Sequence, residues 1–395
     1  MISIPNFSKT LIKLFFFSIP FGFIDIFFSQ LNLPFLVLIV IIFFDIIIIR
    51  KYKNDFKIIN IIFLLLLLVL TNSVLNYLPN YPGGWSFLRQ FILFVVGLYS
   101  LCRILVYSKM KEAEVENIFI NAVFLLSVFN LFGIGVTYMD ERLTLFEMNP
   151  NMIAFFANIA ILFMNKNYFF THDNKQSLKI KILYFLSILY MLFLTGSRGG
   201  IISLLLIVIL TFYFKEKTIL KRIKYILLSV IVSTLLYFIV INNALLNRRF
   251  FENDEDIDAG RTVLWEKIIS IFQENPIFGI GIFKYQQQIS FLNNDRVINT
   301  HNEFLTFLVY TGIIGLVVFI YFLYKLLRLC INKYKTFNDP TFIVLFLILV
   351  FNLFKGGGLI LTPLVWGIFC YILVYTRFKI KNKTTDSPVT TIETL

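Results

Sequence analysis

The sequence predicts an all-α polytopic membrane protein with about twelve transmembrane helices and one long external loop containing an amphipathic helix. Three observations predict it. Of 395 residues 58% are hydrophobic and 15% charged, where a soluble chain carries about 25% charged residues. Apolar runs long enough to cross a bilayer recur along the whole chain. Lysine and arginine also alternate in density from one connecting loop to the next, as expected when cations accumulate on the cytoplasmic side. A water-soluble enzyme or binding module is excluded on these grounds.

The expected spans are 11–29, 34–49, 58–78, 86–106, 116–138, 150–170, 180–196, 199–214, 223–241, 303–327, 341–355 and 358–376. The first lacks a following cleavage pattern and reads as an uncleaved helix. Four stretches follow: N-terminal helices over 1–140, helices six to nine over 141–241, an external loop over 242–302, and C-terminal helices with a cytoplasmic tail over 303–395. Cys102, Cys330 and Cys370 are too widely spaced for a disulfide framework or a metal cluster.

With both termini cytoplasmic, 26 of the 36 Lys and Arg fall inside. The formal net charge of +13 is therefore a topology signal, and nucleic acid drops out as a partner. Arginine departs from the pattern: seven of 12 Arg lie outside against three of 24 Lys. The external cations are Arg89, Arg142, Arg198, Arg248, Arg249, Arg261, Arg296, Lys267, Lys284 and Lys355. Topology needs only positive charge, whereas the guanidinium fork suits phosphate and carboxylate. An external anionic ligand is the inference, against a reading in which Arg snorkels or pairs with external acids.

The long loop opens with an acidic run, Glu252 to Asp258, which lacks the spacing of a calcium loop and reads as a solvated linker. Then Leu264, Trp265, Ile268, Ile269 and Phe272 recur at helical spacing from Arg261 to Glu274. That stripe suits a helix lying on the outer leaflet or over the bundle mouth. Asn275-Pro276 ends it, and Gly279-Ile-Gly281 makes a tight turn.

Four polar constellations fall on the external side. Arg142 precedes Asn149-Pro150-Asn151, where Asn149 and Pro150 fit a helix cap and first turn; capping leaves Arg142 unexplained. Thr195-Gly-Ser197-Arg198-Gly-Gly200 forms a hairpin too short to hide a charge, and the next helix start offers free N–H groups to an anion. Arg261 is a cation at a helix start, where a structural design prefers an acid. Thr300-His301-Asn302-Glu303 enters span ten, with Gly312 and Gly315 beyond at small-residue packing spacing. His301 is the external histidine and His172 the cytoplasmic one. An imidazole near pKa 6.5 can take a proton from an attacking hydroxyl, with Glu303 orienting it. Together these residues suggest a pyrophosphate leaving group held by guanidiniums and an acceptor hydroxyl activated by His301.

The order of these motifs resembles the O-antigen ligase and O-antigen polymerase superfamily. It is carried by Arg142 before Asn-Pro-Asn151, Ser197-Arg198-Gly, Gly260-Arg261 with Trp265, Pro276-Ile-Phe-Gly279-Ile-Gly281, and His301-Asn302 leading to Gly312 and Gly315, over about 140–330. One departure is Leu145, where the family often has Gly. The resemblance implies a fold related to lipid-donor glycosyltransferases and inverting transfer from an undecaprenyl-pyrophosphate-linked glycan, without metal or other cofactor. It assigns Arg198 and Arg261, with Arg142, to the pyrophosphate and His301 to the acceptor. Ser197, Asn302, Glu303, Asn151, Gly279 and Gly281 are expected to support them. The place implied is the periplasmic face of a bacterial inner membrane.

The acceptor separates two readings: lipid A-core sugar for a ligase, which the intact Ser-Arg-Gly and His-Asn pairs favour, or a second lipid-linked repeat for an O-antigen, capsule or exopolysaccharide polymerase. A third is a non-enzymatic transporter or flippase of lipid-linked oligosaccharide. Its marks would be charges inside the membrane, and Asp25 and Asp45 are the acids that lie inside a span and not at its first residue.

Overall fold

A computed structural model describes residues 4–22, 32–49, 57–79, 83–139, 141–170, 177–216, 218–242, 246–247, 261–290 and 300–377. The acidic run, Gly260, Arg248, Arg249, Arg296, His172 and Asp25 lie outside them. Every apolar run carries a helix. The first five helices are α1 (Ile4–Ser18), α2 (Leu33–Phe44), α3 (Ile59–Leu75), α4 (Gly83–Ser108) and α5 (Glu112–Leu131). The next four are α6 (Pro150–Met164), α7 (Leu178–Leu194), α8 (Arg198–Lys215) and α9 (Ile219–Asn242). The loop contributes α10 (Arg261–Glu274) and α11 (Gly281–Ser290), followed by α12 (Glu303–Phe337), α13 (Thr341–Lys355) and α14 (Pro363–Arg377). Among the described residues, α4, α5, α8 and α12 are long and apolar enough to cross a membrane.

A helix that is apolar all round has no face to give to water and sinks into the middle of a bundle. Two helices do so. In α6 the residues from Ile153 to Met164 are all buried, and in α14 so are those from Leu364 to Thr376. The outer helices turn large apolar side chains outward instead, among them Phe43, Leu67, Leu183, Leu227 and Ile320. Exposed apolar surface on this scale is what a lipid-facing belt requires. The chain is a helical membrane protein.

The first helix starts at Ile4, before the expected residue 11, and three further departures shape the fold. The fifth run does not stay helical to residue 138: Gly133 and Gly135 take positive φ and end α5. A two-stranded antiparallel hairpin follows, β1 (Val136–Met139) and β2 (Arg142–Leu145), with Met139 opposite Arg142. A small β element thus interrupts a fold expected to be all α. Leu145 is buried in β2, where it pairs with Val136, so an apolar side chain there is accommodated. The twelfth run opens with a 3-10 turn, Leu359–Leu361, and its helix starts only at Pro363, whose fixed φ suits a first turn.

The third difference matters most for the site. α12 runs to Phe337, beyond the expected end, and is broken at Gly312, where φ is 65° and ψ −164°. Gly312 is therefore not a helix-packing residue but the point at which the helix stops and restarts. The Pro276–Gly281 turn fills the break: Ile280 N donates to Val309 O at 2.9 Å and Ile313 N to Pro276 O at 2.9 Å. A Cβ on Gly312 would overlap the Ile277 carbonyl, and one on Gly279 would press on the Val309 carbonyl. Asn72 of α3 also reaches this junction, its Nδ2 donating to Phe278 O at 2.7 Å. The amphipathic segment is thereby pinned to the bundle by backbone contacts.

α10 buries Leu264, Ile268 and Ile271 and leaves Ile269 exposed, so its buried face takes Ile271 in place of the Ile269 that the sequence suggested. At the opposite end of the bundle, two lysines counted as cytoplasmic topology charges are internally paired. Lys166 Nζ lies 2.8 Å from Glu116 and 3.3 Å from Asp339, and Lys333 Nζ lies 3.6 Å from Glu112.

Candidate active site at the loop end of the bundle

The site is built from four helix starts, those of α6, α8, α10 and α12, with the end of α13 and the β hairpin. Ser197 caps α8, its Oγ accepting from Gly200 N at 3.1 Å, which satisfies one of the free N–H groups of the first turn. Gly196, at φ 56°, provides the left-handed residue that lets α7 turn directly into α8. Asn149 caps α6 by accepting from Asn151 N at 2.8 Å, as the Asn-Pro-Asn spacing predicted.

Arg142 ties these starts together. Its Nε donates to Thr195 O at 3.1 Å and its Nη2 to Asn151 Oδ1 at 3.0 Å. The same Asn151 oxygen accepts from Ser197 Oγ at 2.8 Å. Arg142, Asn151 and Ser197, three residues singled out in sequence, therefore form one network bridging β2, α6 and the α7–α8 turn. Arg198 follows as the first residue of α8 and is half-buried.

The second side of the site comes from α10 and the entry to α12. Trp265 Nε1 donates to Thr300 O at 2.8 Å, fixing the amphipathic helix beside the His-Asn pair. Asn302 caps α12, its Oδ1 accepting from Phe304 N at 2.9 Å and Leu305 N at 3.3 Å. His301 just before the cap takes φ 53°, a left-handed backbone that few non-glycine residues adopt. Burial and the nearby Arg261 guanidinium hold its imidazole below the ordinary value of 6.5, so the ring is neutral at pH 7.

Glu303 does not face His301 through any hydrogen bond among the described residues. It is fully buried, and its Oε1 accepts from Ile360 N at 3.1 Å, bracing the turn after α13. The geometry thus gives it a supporting place on the far side of the cap. Gly279 and Gly281 support the site at one remove, through the junction with Gly312 and α3.

One cation was read in sequence only as an external charge and not as a site residue. Lys355, the last residue of α13, reaches across to the α8 start, where a Cβ on Gly199 would overlap its Nζ. Its carbonyl accepts from Arg261 Nη1 at 3.4 Å, and the guanidiniums of Arg261 and Arg142 both act electrostatically on its ammonium. The available signal was its place among the external cations just before Gly356-Gly-Gly358. Asp45, by contrast, pairs with Arg103 at 3.2 Å, with both side chains nearly buried.

The fold and site define a helical membrane protein that gathers arginines, a lysine, a helix N-terminus and an imidazole at one end of its bundle. The comparison with known families narrows this class. Residues 183–320, about a third of the chain, match the Wzy_C family, described as O-antigen ligase. The similarity to the O-antigen ligase and polymerase superfamily seen in the motif order therefore holds for this segment, which carries Arg198, Arg261 and His301. Arg142 and Lys355 lie outside it. No curated protein matches the chain.

Proposed function

We propose that the protein transfers a glycan from an undecaprenyl-pyrophosphate carrier to a sugar hydroxyl on the periplasmic face of a bacterial inner membrane. It acts as an O-antigen ligase, with lipid A-core as acceptor. The observation that carries this reading is the convergence of Arg142, Arg261 and Lys355 beside the Arg198 helix start, with a neutral His301 next to Arg261. A pyrophosphate leaving group gains negative charge as the glycosidic bond breaks, and preorganised cations favour that charge. His301 accepts the proton of the acceptor hydroxyl as its oxygen attacks the anomeric carbon on the face opposite the pyrophosphate. The anomeric configuration inverts, and neither a metal nor another cofactor takes part.

The polymerase reading uses the same site with a second lipid-linked repeat as acceptor. The transport reading rests on Asp25, which lies outside the described residues, and on Asp45, which pairs with Arg103.

The test replaces Arg198, Arg261 and His301 singly with Ala and examines surface polysaccharide by gel. Loss of His301 should lower transfer by about 10²–10⁴-fold, the range for a general base. A ligase defect leaves lipid-linked polymer unattached, and a polymerase defect leaves single repeats on the acceptor. Normal glycan from three well-expressed variants sinks the enzymatic reading.

A further inference from the structure

Lys355 has an ordinary explanation that its geometry does not fit. A lysine ending a helix is favoured by the negative end of the helix dipole, where it sits near its own last carbonyls. Here Arg261 donates to the Lys355 carbonyl, while the lysine stem carries its ammonium to Gly199 in the first turn of α8. That is the positive end of another helix. Two guanidiniums, Arg261 and Arg142, add to the repulsion. The Phe351 ring, 5.5 Å from Nζ, offers partial compensation on one side. Among the described residues no carboxylate pairs with this half-buried ammonium.

A cation placed against a helix N-terminus and two further cations is unfavourable until an anion joins them. The absence of a side chain at Gly199 is what admits it. We propose that Lys355 is a donor-binding residue: its ammonium contacts the pyrophosphate oxygens of the lipid-linked donor alongside Arg198 and Arg261, through the gap left by Gly199. This rests on the pyrophosphate reading above and adds a residue from the C-terminal helices, outside the segment that matches the O-antigen ligase family.

The test uses the full-length protein purified in detergent, with undecaprenyl pyrophosphate as probe and affinity measured by thermophoresis. Lys355→Met keeps the apolar stem and removes the charge. It should weaken binding about tenfold to a hundredfold, the value of one charge-assisted hydrogen bond, and Lys355→Arg should restore most of it. Gly199→Ala should displace the ammonium and weaken binding similarly, and the double variant should be no weaker than the worse single, because both changes remove one interaction. If Lys355→Met binds as wild type while Arg198→Ala and Arg261→Ala bind weakly, the Lys355 proposal fails and the pyrophosphate site stands. If all three bind as wild type, the pyrophosphate reading itself fails. Should Lys355→Met not fold, Gly199→Ala decides, and unchanged affinity overturns the proposal.

Discussion

His301 combines a left-handed backbone with an imidazole kept neutral by burial and by Arg261. Both properties cost free energy in a residue that only fills space, and both suit a base that must be aimed and unprotonated. The sign of the pH dependence follows. A base works when neutral, so transfer depending on His301 is complete above its pKa and falls as pH drops through it. Because that pKa is lowered, the acid limb of kcat/KM should lie below pH 6.5. In Arg261→Gln, burial still disfavours the imidazolium but the repelling cation is gone, so the limb of the residual activity should move upward. A wild-type limb above 6.5, or one that ignores Arg261, removes His301 as the titrating base. The residue types were legible in sequence because His and Arg stand out among external apolar helices. Lys355 was not, since its partner Gly199 lies more than 150 residues away and nothing local marks their contact.

The decisive element is the broken helix α12. Its first half carries the Asn302 cap and thus the direction of His301, and its break at Gly312 receives the Pro276–Gly281 turn. Gly312 occupies a backbone region open essentially to glycine alone, and any Cβ there meets the Ile277 carbonyl. Gly312→Ala should therefore cost about 1–3 kcal/mol in backbone strain and more through displacement of the turn. The check is a lowered apparent Tm of the detergent-purified protein, with an unchanged Tm counting against the docking role. Sequence spacing showed glycines at 279, 281 and 312 but assigned the last to helix packing. Spacing cannot distinguish a glycine that lets helices approach from one that ends a helix, because both need only the missing Cβ.

For the whole molecule, the orientation read from charge asymmetry places α10 outside and the α12–α13 connection inside. The three native cysteines are buried, so introduced ones report on exposure with low background. A cysteine at exposed Thr262 should react with a membrane-impermeant maleimide in intact cells, and one at exposed Lys335 only after permeabilisation. The reverse pattern would invert the molecule and place the candidate site in the cytoplasm. The strong inside charge is also less free than a count suggests, since Lys166 and Lys333 are held by Glu112, Glu116 and Asp339 within the bundle.

The sequence by itself determined the solvent: a chain whose apolar runs are long enough to cross a bilayer as helices, with cations sorted by loop, satisfies its backbone as helices in lipid. It also determined which residue types stand ready for chemistry, because a charge or imidazole among apolar spans is costly unless it has a partner or a task. The tertiary structure decided the partners. Arg142 became a bridge between helix starts, Glu303 a brace for the turn after α13, Asp45 a mate for Arg103, and Lys355 a member of the site. Each of these depends on contacts between segments far apart in the chain. Hydropathy and helical period describe one segment at a time, so only packing fixes which side chains share a space.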